Sequence, residues 1–161
     1  MASLKSEIAQ RSPFSSLEEE AILNVMRTSD CLQRAFQSKT RAWGLTSTQY
    51  NVLRILRGAQ PEGLSCAAIG ERMIAAEPDI TRLLRRLKGL KLIRQHRNRE
   101  DRRVVLTQIS DAGLDLLRAM DPVIERMPLE LLGHIGRKDL AEMIRLVEKA
   151  REYCGDARPT E

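Results

Sequence analysis

Apolar residues recur along most of this chain at three- and four-residue steps, the spacing of a single buried face on an α-helix. The first run holds Ile22, Val25, Met26, Leu32, Phe36 and Trp43, with Ser29 interposed, and predicts a helix reaching about Arg41 and ended by Gly44. Ser16-Leu17-Glu18-Glu19 fits a capping box at its start, where three consecutive glutamates also suit the positive end of the helix dipole. Thr46-Ser47-Thr48-Gln49 is a second box, opening a helix with Val52, Leu53, Ile55 and Leu56 as apolar positions until Gly58, Pro61 and Gly63 stop it. Ser65 then caps a short helix from about Cys66 to Met73 that buries Ile69 and Met73. Ile74 to Glu77 reads as a tight turn, and Pro78 opens the next helix, since a proline's missing N–H costs nothing in a first turn.

From Pro78 to Lys88 the stripe is Ile80, Leu83, Leu84 and Leu87, and Arg82, Arg85 and Arg86 fall on the opposite side. A hairpin pattern follows, with one strand over Leu92 to Arg97, a polar tip over Asn98 to Asp101 and a second strand over Arg102 to Ile109. Two short helices joined by a tight turn form a helix-turn-helix, and the appended hairpin makes it a winged one. Ser110 starts a further helix carrying Leu114, Leu117 and Met120, which Asp121-Pro122 and Pro128 should kink or interrupt. Gly133 to Gly136 is a break before a last helix from Arg137 to Cys154, with Leu140, Met143, Ile144, Val147 and Ala150 on one face. The expected class is mainly α (α+β), with a winged helix-turn-helix over residues 46–109 between long helices at 16–45 and 110–154. Residues 1–15 are polar and expected to form a flexible arm.

Composition sharpens this outline at one point. The chain has 161 residues, 42% of them hydrophobic, enough for one domain with an aliphatic core, while 3% aromatics offer few stacking platforms for single-stranded nucleic acid. Its net charge of +5 is unevenly spread. Leu64 to Thr107 holds 11 Lys and Arg against 5 Asp and Glu; the remainder holds 16 against 17. A charge cluster is often only a solvated face, but confinement to one helix and one hairpin points to a surface that meets a polyanion. No apolar run is long enough to cross a bilayer, and Met1 to Ser12 has no secretory apolar core, so a cytoplasmic protein is expected.

On a helix that enters the major groove of double-stranded DNA, only side chains opposite the core stripe reach base edges. Arg82, Arg85 and Arg86 meet that condition, and an arginine fork matches the paired acceptors of guanine. Thr81 and Lys88 flank the face, placed for phosphates. In the wing, Arg94, Arg97, Arg99, Arg102 and Arg103 exceed anything hairpin stability needs, because like charges across a strand pair are destabilising. A minor groove's negative potential would give them a use. Asp101 also reads as an ordinary turn residue bonding its own backbone.

Asp101-Arg102-Arg103, followed after a strand by Ile109-Ser110-Asp111-Ala112-Gly113, is similar to the Asp-x-Arg wing and Leu-Thr-x-x-Gly of the multiple-antibiotic-resistance regulator (MarR) family. Gly44-Leu45-Thr46-Ser47-Thr48-Gln49 resembles that family's Gly-Leu-Thr-x-x-Gln, and Leu64-Ser65 and Ile80-Thr81-Arg82-Leu83 match the starts of its next two helices. The resemblance covers roughly residues 18–153. It implies a homodimer interlocked through its N- and C-terminal helices, two winged helices on a pseudo-palindromic operator, and repression relieved by a small effector. It also implies that Arg103 enters the groove, with Asp101 fixing its fork. Three positions depart from the pattern: Lys91 stands where a glycine is usual, Gln95 where an arginine is usual, and Arg97 and Arg99 replace wing-tip prolines.

The input to such a regulator is less legible. Resemblance places Arg41, Trp43 and Tyr50 near a site for a small aromatic or anionic effector, although a tryptophan on an apolar stripe, as Trp43 is, is more often plain core. Cys31 is the candidate for a thiol sensor, with Arg34 as the positive charge that reactivity needs and Asp30 opposing it. Cys31 otherwise reads as a buried, inert residue, and Cys66 and Cys154 as small core or interface residues, with no disulfide or metal spacing. His96 and His134 lie in no catalytic or metal constellation, and no Gly-rich phosphate loop follows a strand, so neither an enzyme nor a bound cofactor is expected. A winged helix serving as a protein-interaction or architectural module is the remaining alternative.

Overall fold

The computed structural model describes residues 3–154. Their elements run α1 (Leu4–Glu7), α2 (Leu17–Arg41), α3 (Ser47–Arg57), β1 (Leu64–Ser65), α4 (Cys66–Glu71), α5 (Ile80–Gly89), β2 (Ile93–Arg97), β3 (Val105–Ile109), α6 (Asp111–Leu132) and α7 (Arg137–Glu152). Two compact units divide between Val123 and Ile124, within α6. The first holds the winged helix.

The N-terminal arm carries one short helix, α1. Ser3 caps α1, Leu4 is buried, and Glu7 pairs with Arg27 of α2 at 3.5 Å. Met1 and Ala2 lie outside the described residues. At the start of α2, Ser16 accepts from the Glu19 N–H at 3.2 Å, but the reciprocal half of the box is displaced by one residue. The Glu19 carboxylate takes the Ser15 N–H at 2.6 Å and the Ser15 hydroxyl at 2.7 Å, which holds its carboxyl below the usual glutamate range. The second box is complete, with Thr46 and Gln49 bonding each other's backbone. Gln37 of α2 ties the two helices, its Oε1 accepting from the Ser47 N–H at 3.0 Å, and Phe36 packs on Tyr50 with ring centroids 5.4 Å apart.

Val52, Leu53 and Leu56 of α3, Ile69 of α4, Leu87 of α5, and Leu117 and Met120 of α6 are fully buried. Arg57 Nη1 donates to both carboxylate oxygens of Asp121, at 2.8 and 3.0 Å, and joins α3 to α6. Sequence pattern gives no sign of this pair, because it spans 64 positions. Asn51 of α3 accepts the Ile74 N–H at 3.1 Å and so holds the turn between α4 and α5.

The sheet has a strand that periodicity could not reveal. The two residues of β1 pair with β3, Leu64 opposite Thr107, giving the antiparallel order β1-β3-β2. Gly63 makes this possible: its φ is +79°, and a Cβ there would meet the Thr107 carbonyl oxygen at 2.6 Å. β2 pairs with β3 from Ile93 opposite Ile109 to Arg97 opposite Val105.

Three boundaries move from expectation. α5 begins at Ile80 rather than Pro78, because Asp79 caps it by accepting the Arg82 N–H at 2.8 Å. Pro78 therefore precedes the cap. α6 runs unbroken through Pro122 and Pro128 for 22 residues; each proline removes one backbone donor, and the surrounding ladder keeps the helix continuous. α7 ends at Glu152, short of Cys154, and none of its residues is buried.

Candidate nucleic-acid interface

α5 separates its faces as the spacing predicts. Leu84 and Leu87 are buried, Ile80 and Leu83 half-buried, and Thr81, Arg82, Arg85, Arg86 and Lys88 exposed. Among the described residues, the guanidinium groups of Arg82, Arg85 and Arg86 have no hydrogen-bond or ion-pair partner. Three unpaired cations on consecutive turns leave that face strongly positive.

The end of α5 is locked to the start of α6. Leu92 N–H bonds the Leu87 carbonyl at 3.1 Å and Lys91 N–H bonds that of Lys88 at 2.9 Å, the paired closure of a Schellman turn. Lys91 takes the left-handed position of that turn, at φ +61°. Buried Ser110 then donates to the Lys91 carbonyl at 2.7 Å and accepts the Gly113 N–H at 3.1 Å, so one hydroxyl fixes where both helices meet the sheet.

The wing is shorter in strand and longer in tip than expected. Arg102 and Arg103 are not in β3; the tip runs from Asn98 to Val104, closed by Asn98 N–H on the Val104 carbonyl at 2.9 Å. The Asn98 side chain accepts the Glu100 N–H at 2.9 Å, and that of Asp101 the Arg103 N–H at 2.9 Å. Asp101 thus acts on Arg103 through its backbone, and no ion pair joins their side chains among the described residues. This arrangement also settles the like-charge difficulty: Arg94 lies opposite Gln108 and Arg97 opposite Val105, with the other arginines carried in the tip.

The wing cations differ in their freedom. Arg94 is held by Asp111 at 2.7 Å, and Arg97 donates to the Arg102 carbonyl at 3.5 Å. Arg99, Arg102 and Arg103 are exposed, their guanidinium groups without a partner among the described residues, and Arg97, Asn98, Arg99 and Arg102 line one open hollow. Gln95, which stands where the family usually has an arginine, reaches Thr107 across the strands at 3.4 Å.

The three residues suggested for an effector differ in exposure. Tyr50 is buried in the core, Trp43 is half-buried, and Arg41 is exposed on a hollow walled by Arg34, Gln37, Ser38 and Ala42. The cysteines are not core residues of the single chain: Cys31, Cys66 and Cys154 are all exposed. Cys31 lies 3.6 Å from Arg34 Nη2, and that arginine also pairs with Asp30 at 2.8 Å. The helix that carries Cys31 presents it outward, a choice of face that residue type alone does not reveal. Among the described residues no helix is long and apolar enough to cross a membrane.

Known proteins resemble this chain in both sequence and fold. A family model described as transcriptional regulator SarA/Rot matches residues 34–120. A MarR transcription factor from Planctomyces limnophilus is 39% identical, with a TM-score of 0.65 over 84% of this chain and 98% of its own. The chain belongs to the MarR family. A curated relative, the HTH-type transcriptional regulator TtmR of Methylorubrum extorquens, is 34% identical over 106 residues, 66% of this chain. The chain spans about half, 53%, of that relative's length. A mutant MarR from E. coli, complexed with operator DNA, shares the fold at a TM-score of 0.74 and 19% identity, over 84% of this chain and 99% of that one. This MarR-family protein is accordingly a transcription regulator of the winged-helix type, and the proteins it resembles are regulators rather than enzymes.

Proposed function

We propose that the protein binds a pseudo-palindromic operator as a homodimer and represses transcription until a small effector releases it. The observation that carries this reading is the set of exposed, unpaired guanidinium groups on α5 and the wing tip, two surfaces of one supersecondary unit. Arg82, Arg85 and Arg86 read guanines in the major groove, Thr81 and Lys88 take phosphates, and Arg97, Arg99, Arg102 and Arg103 meet the minor groove and its rails. Asp101 shapes the tip. The operator DNA bound by the E. coli relative supports the same partner here.

A gel-shift assay with the protein's own upstream DNA at two salt concentrations tests this. Arg103→Ala is expected to weaken binding at least tenfold and to flatten its salt dependence, each lost phosphate contact removing about 0.9 from the slope of log K on log salt. Arg82→Ala should cost about 1–3 kcal/mol at one base position and relax preference there. Unchanged affinity in both variants would remove α5 and the wing from the reading, and binding without preference over random DNA would favour an architectural role.

For the input, we infer a small aromatic or anionic effector near Arg41, Trp43 and Tyr50, a reading supported by the positive hollow beside α2. The exposure of Cys31 and its contact with Arg34 favour a second reading, a thiol sensor. A thermal-shift screen with phenolic acids, beside peroxide titration of Cys31→Ser, separates them. Peroxide release of DNA by the wild type but not by the variant would select the thiol.

A further inference from the structure

Two residues at the end of α5 are poor choices for the fold that holds them. Gly89 is the last residue of the helix, yet its φ is not positive and a Cβ there would meet nothing within 4 Å. Neither backbone conformation nor packing asks for a glycine, which weakens a helix relative to alanine. Two residues on, Lys91 takes a left-handed conformation at φ +61°, where a glycine would fit without strain. Its backbone is held by Lys88 and Ser110, bonds a glycine would make equally, and its ammonium has no hydrogen-bond or ion-pair partner among the described residues, so no side-chain contact within the chain compensates.

Gly89 falls three residues after Arg86, four after Arg85 and seven after Arg82, which puts it in the middle of the arginine face. A side chain there would hold any partner away from the last turn of α5. The helix's C-terminal end carries partial negative charge, so an anion approaching it needs a cation close by. Lys91 is exposed one turn boundary away, and Lys88 on the helix itself. Locally unfavourable residues without internal compensation mark sites where function has set the choice.

We propose that the end of α5, Gly89 with Lys91, seats the sugar–phosphate backbone of the bound DNA. Gly89 gives the clearance and Lys91 the charge. The proposal rests on the reading that α5 enters the major groove, and adds that the helix's last turn rises against one rail of that groove.

The test uses the full-length protein and a duplex that the wild type selects from a randomised pool. Gly89→Ala and Lys91→Gly each remove an unfavourable backbone choice, so both should raise the midpoint of thermal unfolding. Both are nevertheless expected to bind the duplex more weakly, Gly89→Gln by tenfold or more, and Lys91→Gly should lower the salt slope by about 0.9 per subunit. Greater stability with weaker binding is the supporting result, because a purely structural role would raise the first and leave the second unchanged. If Arg82→Ala weakens binding while the Gly89 and Lys91 variants bind as the wild type does, this proposal falls and the α5 interface stands. If the wild type binds no duplex, both fall.

Discussion

Gly44 and Lys91 close two helices with the same pair of backbone bonds, and only one of them is a glycine. At the end of α2, Leu45 N–H reaches the Thr40 carbonyl and Gly44 N–H that of Arg41, with Gly44 at φ +74°. Gly44→Ala should therefore lose about 1–2 kcal/mol in urea denaturation, and Lys91→Gly should gain a comparable amount, the cost of a side chain in the left-handed region. The Gly44 turn is readable in sequence because glycine after an apolar run is a stop signal; the Lys91 turn is not, because lysine carries no such signal. Asp101 shows a similar limit. Its residue type predicts a bond to nearby backbone, which it makes, but whether its carboxylate also faces Arg103's fork depends on the path of the whole tip.

Side-chain caps are more legible in sequence than the bounds of helices and strands. Thr46 and Gln49 form the complete box their spacing predicts, so Thr46→Ala should destabilise the protein by about 1 kcal/mol. At α2 the side-chain bond from Ser15, then its N–H, lowers the Glu19 carboxyl, and Glu18 is lowered by its own backbone bond and by Ser16. A lowered carboxyl stabilises the folded state above its unfolded pKa and loses that contribution as pH falls through the folded one. The first turn of α2 should thus loosen in acid, below about pH 4.3, as faster amide exchange; Glu19→Gln should reduce that pH dependence. Element ends follow contacts that local pattern does not contain. Pro122 and Pro128 looked like breaks, yet α6 continues through them, and β3 begins at Val105 because the preceding arginines belong to the tip.

Across the whole molecule, the residues left exposed are as informative as the core. Ile22, Val25 and Met26 of α2, expected on a buried stripe, are 60%, 53% and 62% exposed, and Ile144 and Leu146 of α7 are about half exposed. Apolar faces of this kind fit the proposed homodimer. Val25→Asp combined with Met26→Glu should shift the protein to monomer in sedimentation velocity and weaken operator binding, while the core of α3 to α6 stays folded. A monomeric wild type would overturn the dimer.

The sequence by itself determined the winged helix-turn-helix, the two faces of α5 and the concentration of arginine on α5 and the wing, because periodicity and charge are local properties of consecutive residues. Tertiary structure alone decided which of those arginines are free, Arg94 being taken by Asp111 and Arg82 left unpaired. It likewise decided that Leu64 and Ser65 form a third strand, that Arg57 clasps Asp121, and that Lys91 is held left-handed beside Ser110. Each of those depends on residues distant in sequence meeting in space, and no pattern within one segment specifies such a meeting.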